Sequence, residues 1–520
     1  MYRADRTWRI AHTAFHAGLG ALLALYVGFF VVEGVADIRC PYVLDYGEGL
    51  VLSQAVRLTQ GDNLYNDYTH YPFVVSNYPP LFIALSAVGV KLFGVSFAFG
   101  RALAFAAMLG VGAVMTVLLR RCRVGLAPAL AAPAFLLSTR YVTEWASWMR
   151  VDTLALLLVM AGLYFVLRGG RWLILAVLLM VAASYTKQSM IAGVAASFVY
   201  LWWAGERRNA LLFVGCWAAI GLMILMTFQS ASHGWFCRHM VTANANPWHA
   251  DRAWWWFKMT AEEWPVLIGM AVVGAAVSLA GPLRQKKSPC PAGNGADCDR
   301  LLVPYFFFAA IAAVAIGKAG AYVNFMIEPL AAACLLGARA YARLTAAWPS
   351  RTARALWLVA AASLSGQAIA MWTPPSRWEQ QRNWQAQGAR AAAQIIAKTK
   401  GDIIGEPVGI LVTSGRPLLL DPASFSQMYL AGYWDPTPLL RDIRRRRFSL
   451  IFMSGDALWG EYEHGSWGHS RWSGPMMQAI RTHYRISGHA GTIWFFEPSY
   501  HGSPHPPPTS RGKERAPGKR

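Results

Sequence analysis

The stretch Asp45–Pro80, DYGEGLVLSQAVRLTQGDNLYNDYTHYPFVVSNYPP, lies between two apolar segments and is too polar to sit in lipid. It nevertheless begins with two carboxylates, Asp45 and Glu48, close to a predicted membrane boundary. A helix over residues 45–57 would place both on one face, because residues three apart are neighbours on a helix surface. We interpret the stretch as an active-site loop on the far side of a membrane.

The composition predicts a polytopic α-helical membrane protein with a small C-terminal α/β soluble domain. Of 520 residues, 55% are hydrophobic and 14% charged, whereas soluble domains carry about 25% charged residues. Runs near the ~20 apolar residues that a spanning helix needs recur often enough to predict about 11–13 spans. The net charge of +21 suggests nucleic-acid binding, but its Lys and Arg lie in short loops between spans, as the positive-inside rule describes. We therefore expect membrane lipid, and no nucleic acid, as a partner.

The orientation follows from the basic N-terminus, which contains Arg3, Arg6 and Arg9 and should stay in the cytoplasm. The loops 33–80 and 229–262 are then outside. If residues 81–119 formed two full spans, the arginine cluster that follows them would lie outside the membrane, which the positive-inside rule disfavours. The number of spans within 81–119 therefore stays open. We expect an integral protein of a bacterial inner membrane with extracytoplasmic active-site loops.

Residues 1–371 form the predicted transmembrane domain, and 372–500, which hold no membrane-length run, the α/β domain outside. Patterning in the second part predicts two helices and two buried strands: helices over 385–398 and 438–447, and strands over 408–413 and 448–453. The last residues, 501–520, are rich in proline and basic residues and are predicted to be disordered.

Cysteine and histidine give no metal-binding pattern. His233 and His239 are six residues apart, which is not a zinc-ligand spacing on a helix face. Cys40 and Cys237 both fall in outer loops, so a disulfide between them is possible, whereas Cys298 lies in a loop placed in the cytoplasm, where thiols stay reduced. No cofactor is predicted, although a carboxylate pair in the loop could hold a divalent ion.

The motifs of the opening stretch resemble those of a known superfamily. In order they are Glu48-Gly49, then Ala55, Leu58, Gly61, Tyr65 and Asp67, then Tyr78-Pro79-Pro80. This pattern resembles the GT-C superfamily of integral-membrane glycosyltransferases, in the branch with aminoarabinose transferases and protein O-mannosyltransferases. An acidic pair opens the first outer loop in that family. In this sequence Gly47 occupies the first acidic position of the family's pattern, and we expect Asp45 to take the role of that acidic residue.

Further matches fall at later span ends on the same predicted side. They are Arg150-Val151-Asp152, Lys187, and the segment GKAGAYVNFMIEP with Lys318, Asn324 and Glu328. Their convergence on one face does not depend on the family, and ionisable residues at the membrane mark functional sites.

The resemblance implies transfer of a sugar from a polyprenyl-phosphate-linked donor to a hydroxyl of a lipid, glycan or protein acceptor, with inversion at the anomeric carbon. A hydroxyl nucleophile benefits from a carboxylate base, for which Asp45 is the first candidate and Glu48 the second. The leaving phosphate needs cations. The predicted substrate-binding residues are Arg150, Lys187 and Lys318 as cations, with Tyr65, Tyr78, Asp152 and Asn324.

Each assignment has a structural alternative. Asp45 could simply cap the following helix, Arg150 and Asp152 could form an ion pair, and Lys187 and Lys318 could extend to the membrane interface. The alternative function is a transporter or flippase of lipid-linked sugar, although no inverted repeat of the kind that marks transporters is evident. A polysaccharide polymerase or ligase, or a sensor, would not need the acidic first loop.

Overall fold

The computed structural model describes residues 2–280, 295–346, 351–373, 379–380, 382–383, 386, 388–459 and 471–500. The predicted disordered tail, 501–520, lies outside these ranges. The first part of the chain is helical, with short 3-10 turns at Thr242–Asn244 and Val314–Gly317. Its helices are α1 (Tyr2–Arg39), α2 (Tyr46–Thr59), α3 (Pro80–Phe93), α4 (Ala98–Arg121), α5 (Leu126–Leu137), α6 (Arg140–Trp145), α7 (Asp152–Arg168), α8 (Trp172–Ser184), α9 (Ala192–Trp203), α10 (Arg207–Ala231), α11 (Trp235–Met240), α12 (Ala250–Glu263), α13 (Pro265–Ala280), α14 (Gly295–Ala313), α15 (Asn324–Ala346) and α16 (Arg351–Ala370).

Five stretches of the described chain are long and apolar enough to cross a membrane. They are Ile10–Arg39, Ala98–Arg121, Arg207–Ala231, Cys298–Gly317 and Asn324–Thr345. Helices α12 and α13 would add a sixth span, although they meet at an angle of 98°. Four shorter apolar helices, α3, α5, α8 and α9, would raise the number of candidate spans in the described ranges to ten if they also cross, one below the predicted 11–13. The predicted class of polytopic helical membrane protein is confirmed.

Both predicted outer loops contain helices. The predicted helix over 45–57 is α2, and α1 extends to Arg39 before it. Most of 229–262 is the short helix α11 and the longer α12. His239 of α11 is buried and joins the two loops, because its Nδ1 accepts from the Ser76 N–H at 2.9 Å and its Nε2 lies 2.8 Å from the Asn66 carbonyl oxygen.

The C-terminal part contains a four-stranded mixed sheet in the order β1-β2-β4-β3. Strands β1 and β2 are parallel, and the other pairs are antiparallel. The strands are β1 (Asp402–Gly405), β2 (Phe448–Ser454), β3 (Tyr484–Ala490) and β4 (Ile493–Pro498). The helices around them are α17 (Ala389–Lys398), α18 (Val408–Thr413), α19 (Pro422–Leu430), α20 (Thr437–Arg444), α21 (Gly455–Trp459) and α22 (Gly474–His483). The predicted α/β class of this part is confirmed.

One predicted strand is wrong. The run 408–413 is the short helix α18, whereas 448–453 lies within β2, 438–447 overlaps α20, and the described part of 385–398 contains α17. Every residue from Val408 to Val412 is buried. A short apolar run that is buried on all sides shows neither the helical nor the strand period, so periodicity cannot tell the two apart.

The cysteine predictions also need correction. Cys298 is joined to Cys122 by a disulfide, with Cα atoms 5.7 Å apart, and both Cys40 and Cys237 are free. The two bonded residues are 176 positions apart. Their pairing follows from the packing of α14 near the end of α4, which spacing along the chain does not encode.

The first loop connects the membrane helices to the C-terminal sheet. Phe73 pairs with the segment before α19, since its N–H donates to the Leu419 carbonyl and its carbonyl accepts from the Asp421 N–H, each at 2.9 Å. The side chains of Tyr68 and Phe73 share an apolar core with Phe425. The loop is therefore a packed layer between the two parts of the protein.

Helix α2 meets the C-terminal part at two glycines. A Cβ atom at Gly49 would lie 2.4 Å from the backbone nitrogen of Gly409 and 2.6 Å from its Cα atom. Such distances require the backbones of α2 and α18 to touch, which only glycine permits.

We predict that Gly49→Ala destabilises the protein by roughly 1–3 kcal/mol, because the added methyl group must separate two backbones. Gly20→Ala is the matched control, since a Cβ atom there meets nothing within 4 Å. Alanine in an exposed helix position should stabilise by up to about 1 kcal/mol. Thermal unfolding of both variants in detergent measures the difference, and equal midpoints would contradict the close contact.

Candidate active site

Asp45 has two roles in the structure. Its carboxylate accepts from the Gly47 N–H at 2.9 Å and forms a capping box with Glu48 at the start of α2. Its Oδ2 also lies 3.2 Å from Nη1 of Arg150. The helix-cap alternative therefore holds, and the same carboxylate is presented to a cation from the segment before α7.

Glu48 is enclosed by donors. Arg101 of α4 donates from Nε to Oε1 at 2.8 Å and from Nη2 to Oε2 at 2.7 Å, while the N–H groups of Met149 and Leu44 donate at 2.8 and 2.9 Å. Both side chains of the pair are 0% exposed. Glu48 therefore has a structural role, because its carboxylate joins α2 to α4 and to Met149.

The two carboxylates differ in basicity. Burial raises the pKa of Asp45, although the Arg150 guanidinium acts in the opposite direction. Burial also disfavours the charge on Glu48, but Arg101 and the backbone donors outweigh it, so the pKa of Glu48 is lowered. Asp45 is therefore the more basic carboxylate, and because its side chain is 20% exposed, it is also the one that a substrate can reach.

A second cluster surrounds Asp152 at the start of α7. Its Oδ1 accepts from Lys187 Nζ at 2.6 Å and from Asn324 Nδ2 at 2.8 Å, and its Oδ2 accepts from the Trp145 indole N–H at 2.8 Å. The Asp152 carboxylate therefore contacts two other residues that were predicted from separate span ends, Lys187 and Asn324. Trp145 was not among the predicted residues.

Arg150 lies beside both clusters. Besides Asp45, its guanidinium contacts the Tyr78 hydroxyl at 3.0 Å and stacks 5.0 Å from the Trp145 ring. A Cβ atom at Gly47 would lie 1.3 Å from Arg150 Nη1. The guanidinium thus occupies the space that a side chain at residue 47 would need.

Tyr65 and Lys318 make their contacts elsewhere. The Tyr65 hydroxyl donates to the Tyr78 carbonyl at 3.3 Å, and its buried ring packs edge-on against Phe236. Lys318 Nζ lies 3.5 Å from the Asn244 carbonyl in the second predicted outer loop. These contacts make Tyr65 a support for Tyr78 and leave Lys318 at the edge of the site.

Sequence reasoning missed several neighbours of the site. Arg101 could have been predicted from the sequence, because it is a lone charge at the start of an apolar run. Arg471 belongs to the C-terminal part, and its guanidinium lies 5.2 Å from the Tyr46 ring. Nothing in the sequence indicated that it would lie near the site. Within the described ranges, no group of three His, Cys, Asp or Glu side chains is placed to hold a metal ion.

No family model and no curated protein matches the sequence. Solved structures do match. The crystal structure of ArnT from Cupriavidus metallidurans in the apo state aligns with a TM-score of 0.60 and 12% identity over 92% of this chain and 98% of that one. The same protein bound to undecaprenyl phosphate aligns with a TM-score of 0.58 and 13% identity over 91% and 97%.

The chain has the ArnT fold. The predicted resemblance to the GT-C aminoarabinose-transferase branch is thereby confirmed for the architecture. Because the alignment covers nearly all of both chains, the ArnT fold accounts for the C-terminal sheet as well as the membrane helices.

We predict that Glu48→Gln destabilises the protein far more than Asp45→Asn does. Removing one partner of a buried ion pair costs about 3–5 kcal/mol, because Arg101 would remain charged without its counter-ion. Asparagine caps helices about as well as aspartate, and the Asp45–Arg150 pair that is lost is partly exposed, so Asp45→Asn should cost much less. Thermal unfolding in detergent compares the two variants, and a similar small loss in both would refute the anchoring role of Glu48.

Proposed function

We propose that this protein is a membrane glycosyltransferase that transfers a sugar from a polyprenyl-phosphate donor to an acceptor hydroxyl on the extracytoplasmic side. Two findings support the donor class. One ArnT structure with this fold contains bound undecaprenyl phosphate, and the candidate site collects cationic side chains that suit a phosphate.

The observation that carries the proposal is the contrast between the two carboxylates of the first loop. Glu48 is sealed by Arg101 and two backbone donors, whereas Asp45 remains partly exposed beside Arg150. A general base must be reachable by the proton that it abstracts. We therefore assign the base to Asp45.

The proposed step is an in-line displacement. The acceptor hydroxyl oxygen attacks the anomeric carbon while its proton passes to the Asp45 carboxylate. The bond between the anomeric carbon and the phosphate oxygen breaks, and its electron pair leaves with the polyprenyl phosphate. The configuration at the anomeric carbon is inverted, and no metal ion or oxidant is required to balance the step.

Arg150 and Lys187 would receive the leaving group. Arg150 is held by Asp45 and Tyr78, and Lys187 by Asp152. Arginine can bind two phosphate oxygens at once, and lysine supplies a compact charge. Because each is held before substrate binds, little reorganisation would be needed as charge develops on the phosphate.

We predict that Asp45→Asn lowers sugar transfer about 10²–10⁴-fold, the range expected for loss of a general base, while the fold is kept. Transfer from a radiolabelled panel of polyprenyl-phosphate sugars to membrane acceptors measures the loss. Asp62→Asn is the matched control, since Asp62 lies in the same loop with a half-exposed side chain.

Full transfer by Asp45→Asn would eliminate the proposed base. Flipping of lipid-linked sugar across the membrane by wild type, with no transfer from any donor, would favour the transporter alternative. Loss of transfer in Asp62→Asn as well would show that the loop responds to any change of charge.

A further inference from the structure

Arg150 and Asp152 are two residues apart, but each pairs with a different partner. Arg150 Nη1 lies 3.2 Å from Asp45 Oδ2, whereas Asp152 Oδ1 lies 2.6 Å from Lys187 Nζ. In the ranges that the structure describes, no ion pair joins Arg150 to Asp152. The two residues therefore do not form the ion pair that was the structural alternative to a role in binding.

Trp145, the last residue of α6, contacts both of them. Its indole N–H donates to Asp152 Oδ2 at 2.8 Å, and its ring centroid lies 5.0 Å from the Arg150 guanidinium. An indole ring attracts a guanidinium held over its face. Lys187 and Asn324 donate to the other oxygen of Asp152, Oδ1. Each oxygen of Asp152 thus has a donor other than Arg150, and the guanidinium lies against the indole instead.

The short connection between α6 and α7, residues 146–151, is anchored at two further points. The Met149 N–H donates to Glu48 Oε1 at 2.8 Å, and the Ser147 hydroxyl donates to Asp37 Oδ2 at 2.6 Å. The indole at one end of this connection and the carboxylate at its other end are therefore held at contact distance before any ligand binds.

The Arg150 guanidinium keeps one donor free. Its Nη1 faces Asp45, and its Nη2 donates to the Tyr78 hydroxyl at 3.0 Å. Its Nε is buried and has no hydrogen-bond partner among the described residues. Buried donors without a partner are rare, and a guanidinium suits the oxygens of a phosphate. The free Nε–H is therefore a place for an acceptor atom of a ligand.

We propose that Trp145 is a positioning residue that keeps Arg150 apart from Asp152, so that Arg150 Nε stays available to an oxygen of the donor phosphate. This inference rests on the proposed function and deepens it, because it names the residue that keeps Arg150 ready for the leaving group. Without the indole N–H, Asp152 Oδ2 would be a buried charged oxygen without a donor, which is unfavourable. The guanidinium two residues away would turn to it, and the phosphate would lose the Nε–H.

The test replaces Trp145 with 3-benzothienylalanine in the full-length protein, because this side chain keeps the shape of indole but has sulfur in place of the N–H group. Binding of undecaprenyl phosphate, measured by native mass spectrometry, should weaken about tenfold, as for the loss of one hydrogen bond to a charged group. The same replacement at Trp148 is the matched control. That buried ring lies 4.9 Å from the Trp145 ring, and its N–H has no hydrogen-bond partner among the described residues.

A double-variant cycle with Arg150→Gln tests whether Trp145 acts through Arg150. If it does, the replacement at Trp145 should weaken binding no further once the guanidinium is absent. A role in packing alone would lower binding by the same factor with and without Arg150. Additive losses therefore overturn the inference, as does unchanged binding after the replacement at Trp145 or an equal loss after the replacement at Trp148.

The binding measurement separates this inference from the proposed function, because it needs no sugar transfer. If wild type binds undecaprenyl phosphate but transfers no sugar from any donor, the proposed function fails and the cycle still decides the role of Trp145. If wild type transfers sugar and the cycle is additive, the proposed function stands and the role of Trp145 fails. A wild-type protein that does not bind undecaprenyl phosphate overturns the inference.

Discussion

The buried pair of Glu48 and Arg101 is the interaction on which the rest of the site depends. Besides the carboxylate, the Arg101 guanidinium donates to the backbone carbonyls of Asp37, Cys40 and Tyr42 at 2.6–2.8 Å. One side chain thus joins the end of α1, the start of α2 and the start of α4. Glu48 adds the segment before α7 through the Met149 N–H. These bonds set where Asp45 and Arg150 can lie.

Two carboxylates three residues apart are separated into different roles by their surroundings alone. A fully buried charge is tolerated only when it is paired and hydrogen-bonded. Glu48 meets that condition, and its carboxylate is therefore not available to a substrate. Burial raises the pKa of Asp45, and its one direct cation, Arg150, offsets that rise only in part. A raised pKa would help the proposed base to accept a proton at neutral pH.

The sequence allowed the membrane class, helix α2 and most of the polar cluster to be predicted, because these depend on composition and on residues at span ends. Asp152, Lys187 and Asn324 meet because each follows or begins an apolar helix. The strand predicted over 408–413 failed because burial on all sides removes the periodic signal. Arg471 could not be predicted, since its partner on α2 is set by tertiary contacts more than 400 residues along the chain.

The glycine at residue 47, where the related pattern has an acidic residue, has a physical explanation in the arrangement of Arg150. A side chain there would overlap the guanidinium, since even a Cβ atom would lie 1.3 Å from its Nη1. With no side chain at residue 47, Arg150 can lie directly against the first turn of α2 and contact Asp45. The carboxylate of Asp45 lies at the cap position, where the backbone N–H groups at the helix start also stabilise its charge. An acid at residue 47 together with Arg150 in its present place would be sterically incompatible.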